Sequence, residues 1–382
     1  MMKKNWQIKV FILTLAVTLI ACQAVMGPAD DDITKSSPPT REAAVDGAEM
    51  PNTAPTLTEV ENAAESGNPT ETCFEGEIYH ADNGLCYRDD GGAEIPFQAI
   101  MASVTDYSDE DYVDEGEEEP ETVNLVTYAV VGNEISAPQY EDVSADLEDE
   151  QKDTATHQEV WDFFSAIIPA DSRSFVSNYL VFSDGKNGVL AAVEQTFDDP
   201  YKWMIEIDPA DTDDMQELTF TLIHEYGHLL TLNSEQIVVN EKIFNNYEDE
   251  DIYIEAEDNC ATYFTGEGCA KPSSYFYLFF DEFWGDIYDE WNQIQAIEDD
   301  DEYYEAFDDF YFAHEDEFVT DYAVTNPGED IAETWAFFVT QPKPAGDTIA
   351  EKKVLFFYQF PELVELRSEI IARAYSRLIR MQ

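Results

Sequence analysis

No feature of this chain limits its fold more than His224-Glu225-Tyr226-Gly227-His228, set between Phe220, Leu222 and Ile223 on one side and Leu229, Leu230 and Leu232 on the other. In a helix, positions four apart lie one turn above each other, so both imidazoles point the same way. Glu225 follows the first histidine and brings a carboxylate beside the pair. Two nitrogen donors and an adjoining carboxylate make up half of a hydrolytic zinc site, in which the carboxylate takes a proton from water. The apolar flanks require a buried helix, so the fold must be large enough to enclose it.

Two histidines leave such a site short of a ligand, because hydrolytic zinc sites use three protein donors. The third is not the downstream histidine of the metzincin extension, whose Gly and His positions are occupied by Thr231 and Ser234. A carboxylate is the other common solution. Asn326-Pro327 followed by acids reads as a helix start, and Ile331, Ala332, Trp335 and Phe338 give that helix a buried stripe. Glu329 and Glu333 are four apart and share one face. Acids beside a buried stripe are costly unless paired or bound to metal, so Glu329, Asp330 and Glu333 are all candidates for the third donor.

Ahead of the motif the pattern is α+β. Residues 123–131 are β-rich and end at Gly132-Asn133, and residues 157–168 carry a helical stripe through Val160, Trp161, Phe164 and Ile167. Residues 175–182 and 189–196 flank Gly185 and Gly188 and are expected to form a hairpin. Residues 203–208 form another strand, and Asp211 or Thr212 is expected to cap the motif helix. Residues 247–318 are acidic and aromatic and read as a mainly helical second lobe.

The two motifs together, His224-Glu225-x-x-His228 and Glu329-x-x-x-Glu333 preceded by Tyr322, Thr325 and Asn326, resemble the gluzincin metallopeptidases. They are most similar to the anthrax lethal factor branch and to bacterial zinc-binding metallopeptidases of that type. The resemblance covers two short motifs. It implies a zincin-like α+β fold over residues 122–382, with a mixed sheet/helix lobe, a mainly helical C-terminal lobe and the active-site helix between them. It implies one catalytic Zn2+ held by His224, His228 and Glu329, with Glu225 as general base. Glu333 would orient a ligand histidine, and Tyr322 would donate to the oxyanion. The activity implied is hydrolysis of protein or peptide substrates; the alternative is a zinc-containing scaffold without turnover. His228 and Glu329 stand further apart than in compact members of the family, so substrate preference does not carry over. His80, His157 and His314 are expected to be structural.

The N-terminus bears on location. Lys3, Lys4 and Lys9 precede the apolar residues 10–20, a basic and apolar leader too short to span a bilayer comfortably. Leu19-Ile20-Ala21-Cys22 resembles the lipobox of bacterial lipoprotein signal peptides, which implies cleavage after residue 21, lipid on Cys22 and an extracytoplasmic, membrane-anchored protein. Residues 22–72 bear almost no large apolar groups and read as a disordered tether. Residues 73–121 are expected to hold a small β unit, to about residue 100, and then an acidic run. In an exported chain the remaining cysteines are expected to pair locally, Cys73 with Cys86 and Cys260 with Cys269.

A net charge of −64 from 83 acidic and 19 basic residues argues against nucleic acid as a partner. Among the scarce cations, Lys352, Lys353, Arg367, Arg373, Arg377 and Arg380 fall in the amphipathic C-terminal residues 352–381. There they are expected to pair with the acidic body and to favour a helix C-terminus; the alternative is a basic membrane-binding helix.

Overall fold

The computed structural model describes residues 77–80, 85–88, 92–102, 104 and 122–381, apart from residues 187, 248 and 298. The leader, Cys22, the tether, Cys73 with its expected bond to Cys86, and the acidic run lie outside the described residues. Strands β1 (Glu77–His80) and β2 (Leu85–Arg88) form an antiparallel hairpin, followed by helix α1 (Glu94–Met101). The β unit expected to residue 100 therefore ends early. Phe97 and Met101, four apart, are fully buried, and that spacing serves a helix face rather than a strand.

A five-stranded mixed sheet forms the centre of the first half, in the order β4-β3-β5-β7-β6. Its strands are β3 (Val123–Val131), β4 (Glu134–Tyr140), β5 (Val176–Ser183), β6 (Ala191–Gln195) and β7 (Trp203–Ile207). Between β4 and β5 come the short helix α2 (Glu148–Lys152) and α3 (Thr154–Ile167). Trp161 of α3 packs its ring 5.5 Å from that of Tyr179 on β5. His157 is indeed structural: its Nδ1 lies 2.9 Å from the Tyr128 hydroxyl and its Nε2 3.0 Å from the Glu150 carbonyl.

The hairpin expected from residues 175–182 and 189–196 does not form. β5 instead pairs in parallel with β7, and β6 pairs antiparallel with β7 at the sheet edge. Every residue of β7 is buried, so burial decides: a strand apolar but for Glu206 takes an interior place and the only partly buried β6 the edge. The intervening loop is organised by aspartates instead of a tight turn. Asp208 accepts from the backbone N–H of Asp184 (3.1 Å) and Ala210 (2.8 Å), and Asp184 accepts from Val189 N–H (2.9 Å). Gly185, at φ +98°, takes a conformation closed to most other residues.

The second half is mostly helical. Helix α4 (Met215–Leu232) is capped by Asp214, which accepts from the N–H groups of Gln216 and Glu217. Asp211 and Thr212, the expected caps, are occupied by a 3-10 turn at Pro209–Asp211 and its end. Then come β8 (Ile237–Val239), α5 (Glu241–Phe244), α6 (Glu250–Asp258) and β9 (Gly268–Ala270), with β8 and β9 paired and Cys260 disulfide-bonded to Cys269. Helices α7 (Tyr275–Phe283), α8 (Tyr288–Gln295), α9 (Asp300–His314), α10 (Pro327–Thr340), α11 (Ile349–Phe357) and α12 (Pro361–Met381) complete the chain. One continuous apolar core joins the sheet to these helices. Helix α4 touches both β6 and α10, so the motif stands between the sheet and the helical part. Among the described residues no helix is long and apolar enough to cross a membrane.

Candidate metal centre

Helix α4 is apolar on nearly every side, with Leu218, Phe220, Leu222, Ile223, Tyr226 and Leu229 buried, which holds the histidines on a rigid support. Helix α10 begins at Asn326, whose side chain accepts from Gly328 N–H (2.8 Å) and Glu329 N–H (3.0 Å), with Pro327 in its first turn. Glu329 thus sits at a helix N-terminus, where partial positive charge favours a carboxylate. The two helices cross at Gly227. A Cβ there would lie 3.0 Å from Ala332 Cα and 3.1 Å from Trp335 Cδ1, so glycine permits the approach that brings the motifs together.

At the crossing, His224 Nε2 lies 3.0 Å from His228 Nε2 and 3.1 Å from Glu329 Oε2, and His228 Nε2 lies 3.2 Å from the same oxygen. Three donors at the corners of a near-equilateral triangle suit a metal. Tetrahedral bonds of about 2.0–2.1 Å place donor atoms roughly 3.3 Å apart. The chemistry of the set agrees: two imidazoles and one carboxylate match hydrolytic zinc. Glu225, Glu329 and Glu333 are all buried, and among the described residues no lysine or arginine pairs with any of them. Buried carboxylates whose only counter-charges are titratable histidines are expensive, and a divalent cation among them would remove that cost.

Glu333 Oε1 is 2.8 Å from Nδ1 of His224, at ion-pair distance though poorly aligned for a hydrogen bond. Its other oxygen accepts from the Thr320 hydroxyl at 3.0 Å, and Thr320 in turn accepts from Ala323 N–H at 3.1 Å. Glu333 therefore holds His224 from behind. Asp330, the other carboxylate candidate, faces away: it pairs with Lys353 Nζ at 2.7 Å and accepts from the Trp284 indole at 2.7 Å, with both charged side chains fully buried.

The electrostatics separate the carboxylates. Burial alone would raise Glu329, but the His228 and His224 charges and hydrogen bonds hold it well below the usual range. Glu225 is pushed up to about 7 by burial, against the pull of His224 and His228. A carboxyl group so placed can both take up and release a proton near neutrality. Tyr322, in the 3-10 turn Tyr322–Thr325, is half-exposed on its outer side, yet its ring stands 6.0 Å from that of His224. Burial of its hydroxyl, then the charges of Glu329, Glu225 and Glu333 and a hydrogen bond to Glu329, raise it well above the ordinary phenol range. It stays protonated, a donor.

The structure thus gathers His224, Glu225, His228, Tyr322, Glu329 and Glu333 in one place, and leaves His314 elsewhere, paired with Glu317 at 2.7 Å. Three contributors escaped the sequence reading. Gly227 was legible as a crossing point, being small at the centre of an apolar helix. Thr320 carried no signal. Glu206 of β7, buried and pushed well above the usual carboxylate range by desolvation, by Glu194 and by Glu225, sits on a strand whose other residues are apolar; that lone acid was the clue. Comparison with protein-family models, curated proteins and solved structures gives no match to this chain.

Proposed function

We propose that this protein is a zinc-dependent peptide hydrolase of the gluzincin type, with a zincin-like fold. The observation that carries the reading is the triangle of His224 Nε2, His228 Nε2 and Glu329 Oε2 with the raised carboxyl of Glu225 in the same buried cluster. His224, His228 and Glu329 would hold one Zn2+, which when bound supplies Lewis acidity toward the scissile carbonyl and its attacking water. Glu225 takes the proton of that water and returns it to the leaving amine, acting first as base and then as acid. Tyr322 donates its hydroxyl to the developing oxyanion. Glu333, braced by Thr320, keeps His224 oriented.

A scaffold that keeps zinc without turnover has no use for a buried acid of this kind, and burying Glu225 is costly unless it works. The leader and Cys22 support an exported protein tethered by lipid, which would reach peptide substrates outside the cytoplasm. Metal analysis of the purified protein should find one zinc per chain, and a peptide library should be cleaved. Glu225→Gln should retain the zinc and lose at least about 100-fold in kcat. A zinc-free preparation that refuses added zinc, or a Glu225→Gln enzyme of unchanged rate, sinks the proposal. Cys22→Ser should release the protein from the membrane fraction; continued sedimentation with membranes would refute the lipid anchor.

A further inference from the structure

Five of the six C-terminal cations divide into two groups. Lys353 and Arg367 are consumed inside the protein, Lys353 by Asp330 and Arg367 by Glu94 (2.8 Å) and the Phe338 carbonyl. The second group does something else. Arg373, Arg377 and Arg380 recur at intervals of four and three along α12 and so share one face. They line a cavity of about 490 Å³ together with Ala166, Ser368, Glu369, Ala372 and Ser376.

Three guanidinium groups there face a single carboxylate. Glu369 is taken by Arg373, at 2.7 and 3.0 Å. Arg380 donates to the Ser376 hydroxyl at 2.9 Å, and the buried Nε of Arg377 finds no acceptor. Among the described residues neither Arg377 nor Arg380 has a carboxylate partner. In a chain with 83 acidic residues against 19 basic ones, an arginine without an acid is unexpected, and a cavity with two is more so. Arg173, outside the cavity lining and engaged by the Ile168 and Gly132 carbonyls and Asn133, adds a further positive charge nearby: burial and the neighbouring Arg373 charge push its guanidinium down to about 10. Concentrated like charge with an unmet buried donor is the signature of a site for an anion.

We propose that this cavity binds a phosphate group carried by a small soluble anion, held by Arg373, Arg377 and Arg380 with the Ser376 hydroxyl. Guanidinium forks match phosphate oxygens two at a time, and several arginines on one face suit a group with more than one negative charge. Ser376, which already accepts from Arg380, retains its own proton to donate. The source is soluble: a body with net charge −64 repels an anionic bilayer or a nucleic acid as a whole, whereas a small ion enters a local positive cavity. The volume fits, since small-molecule sites begin at about 300 Å³.

The test is titration calorimetry of the full-length mature protein with inorganic phosphate, against chloride at matched ionic strength. Saturable one-site binding is expected, weakened about tenfold or more in Arg377→Gln/Arg380→Gln. Ser376→Asp, which supplies a carboxylate to the same guanidiniums without removing one, should abolish binding and keep the fold. Lys186→Gln, an exposed change at the β5–β6 loop, should leave it intact. Absence of saturable binding, or equal binding by the Ser376→Asp protein, overturns the site. Vesicles of phosphatidylglycerol form the second arm: capture by them without any response to free phosphate also overturns it, in favour of a lipid surface.

Discussion

Gly227→Ala sets two opposing effects against each other at the close crossing of helices α4 and α10. Alanine in a helix interior is worth about 1 kcal/mol over glycine, so propensity alone forecasts a more stable protein. The added methyl would lie 3.0 Å from Ala332 Cα, 3.1 Å from Trp335 Cδ1 and 3.3 Å from Ala332 Cβ. Carbon atoms settle at roughly 3.5–4.0 Å, so relief requires about half an ångström or more. The nearest atom is backbone and cannot rotate away. The Trp335 ring is pinned by Phe338 at 5.4 Å and Phe357 at 5.5 Å. The helices must therefore part, at an overpacking cost of about 1–3 kcal/mol. Metal-free stability should fall by at most about 2 kcal/mol once the propensity gain is subtracted. The proposed zinc site should suffer more, because the donor triangle spans the same crossing and ligand distances tolerate only about 0.2 Å. Urea denaturation of the metal-free protein and zinc titration against a competing chelator separate the two. Zinc affinity should drop about tenfold or more. A Gly227→Ala protein that is stabilised by about 1 kcal/mol with unchanged zinc affinity would refute the account of the crossing.

Glu333→Gln should weaken zinc binding by about 10–100-fold, as loss of a carboxylate behind a ligand histidine does; a change under about twofold would deny Glu333 its role. Asp330→Asn leaves Lys353 buried without its counter-charge and should cost about 3–5 kcal/mol in urea denaturation, and a loss under 1 kcal/mol would show that the pair relaxes. Burial, helped by the Asp184 and Asp211 charges against two backbone N–H donors, raises Asp208 to about 6. A raised carboxyl binds its proton more tightly in the folded state, so its contribution is complete below the ordinary aspartate range and lost as pH rises through about 6. Asp208→Asn should therefore flatten the stability profile between pH 4 and pH 6; an unchanged slope there excludes the assignment.

What could be read from the chain and what could not follow a physical division. His224 and His228, and Glu329 and Glu333, were legible because helical spacing alone puts each pair on one face, whatever the rest of the fold does. The choice of Glu329 over Asp330 was not, since it depends on Lys353 and Trp284, which close over Asp330 from distant elements. Strands β3, β5, β6 and β7 announced themselves through their apolar runs, but β4 did not, and neither did the partners of β5 and β6. The loop glycines at 185 and 188 suit a hairpin, and only the competition for the sheet interior shows that β7 displaces β6 from β5. The cap of α4 was ambiguous for a local reason. Asp211, Thr212, Asp213 and Asp214 can all cap a helix, and the 3-10 turn at Pro209–Asp211 decides among them.

The long stretch between His228 and Glu329 looks in sequence like an insertion that separates two halves of a site. Its packing says otherwise. Trp284, following α7, donates its indole N–H to Asp330 at 2.7 Å, one residue past Glu329. Trp291 of α8 meets Trp284 edge-on at 5.8 Å and donates to the Val324 carbonyl at 3.1 Å, inside the turn that bears Tyr322. Phe318 lays its ring 4.0 Å beneath the Lys353 ammonium that completes the Asp330 pair. These contacts hold the first turn of α10 and the preceding 3-10 turn from behind, while Gly227 lets α4 approach from the front. A fold that shortened this stretch would have to find another donor for Asp330 and another anchor for the Tyr322 turn. The aromatic helices are thus part of what positions Glu329.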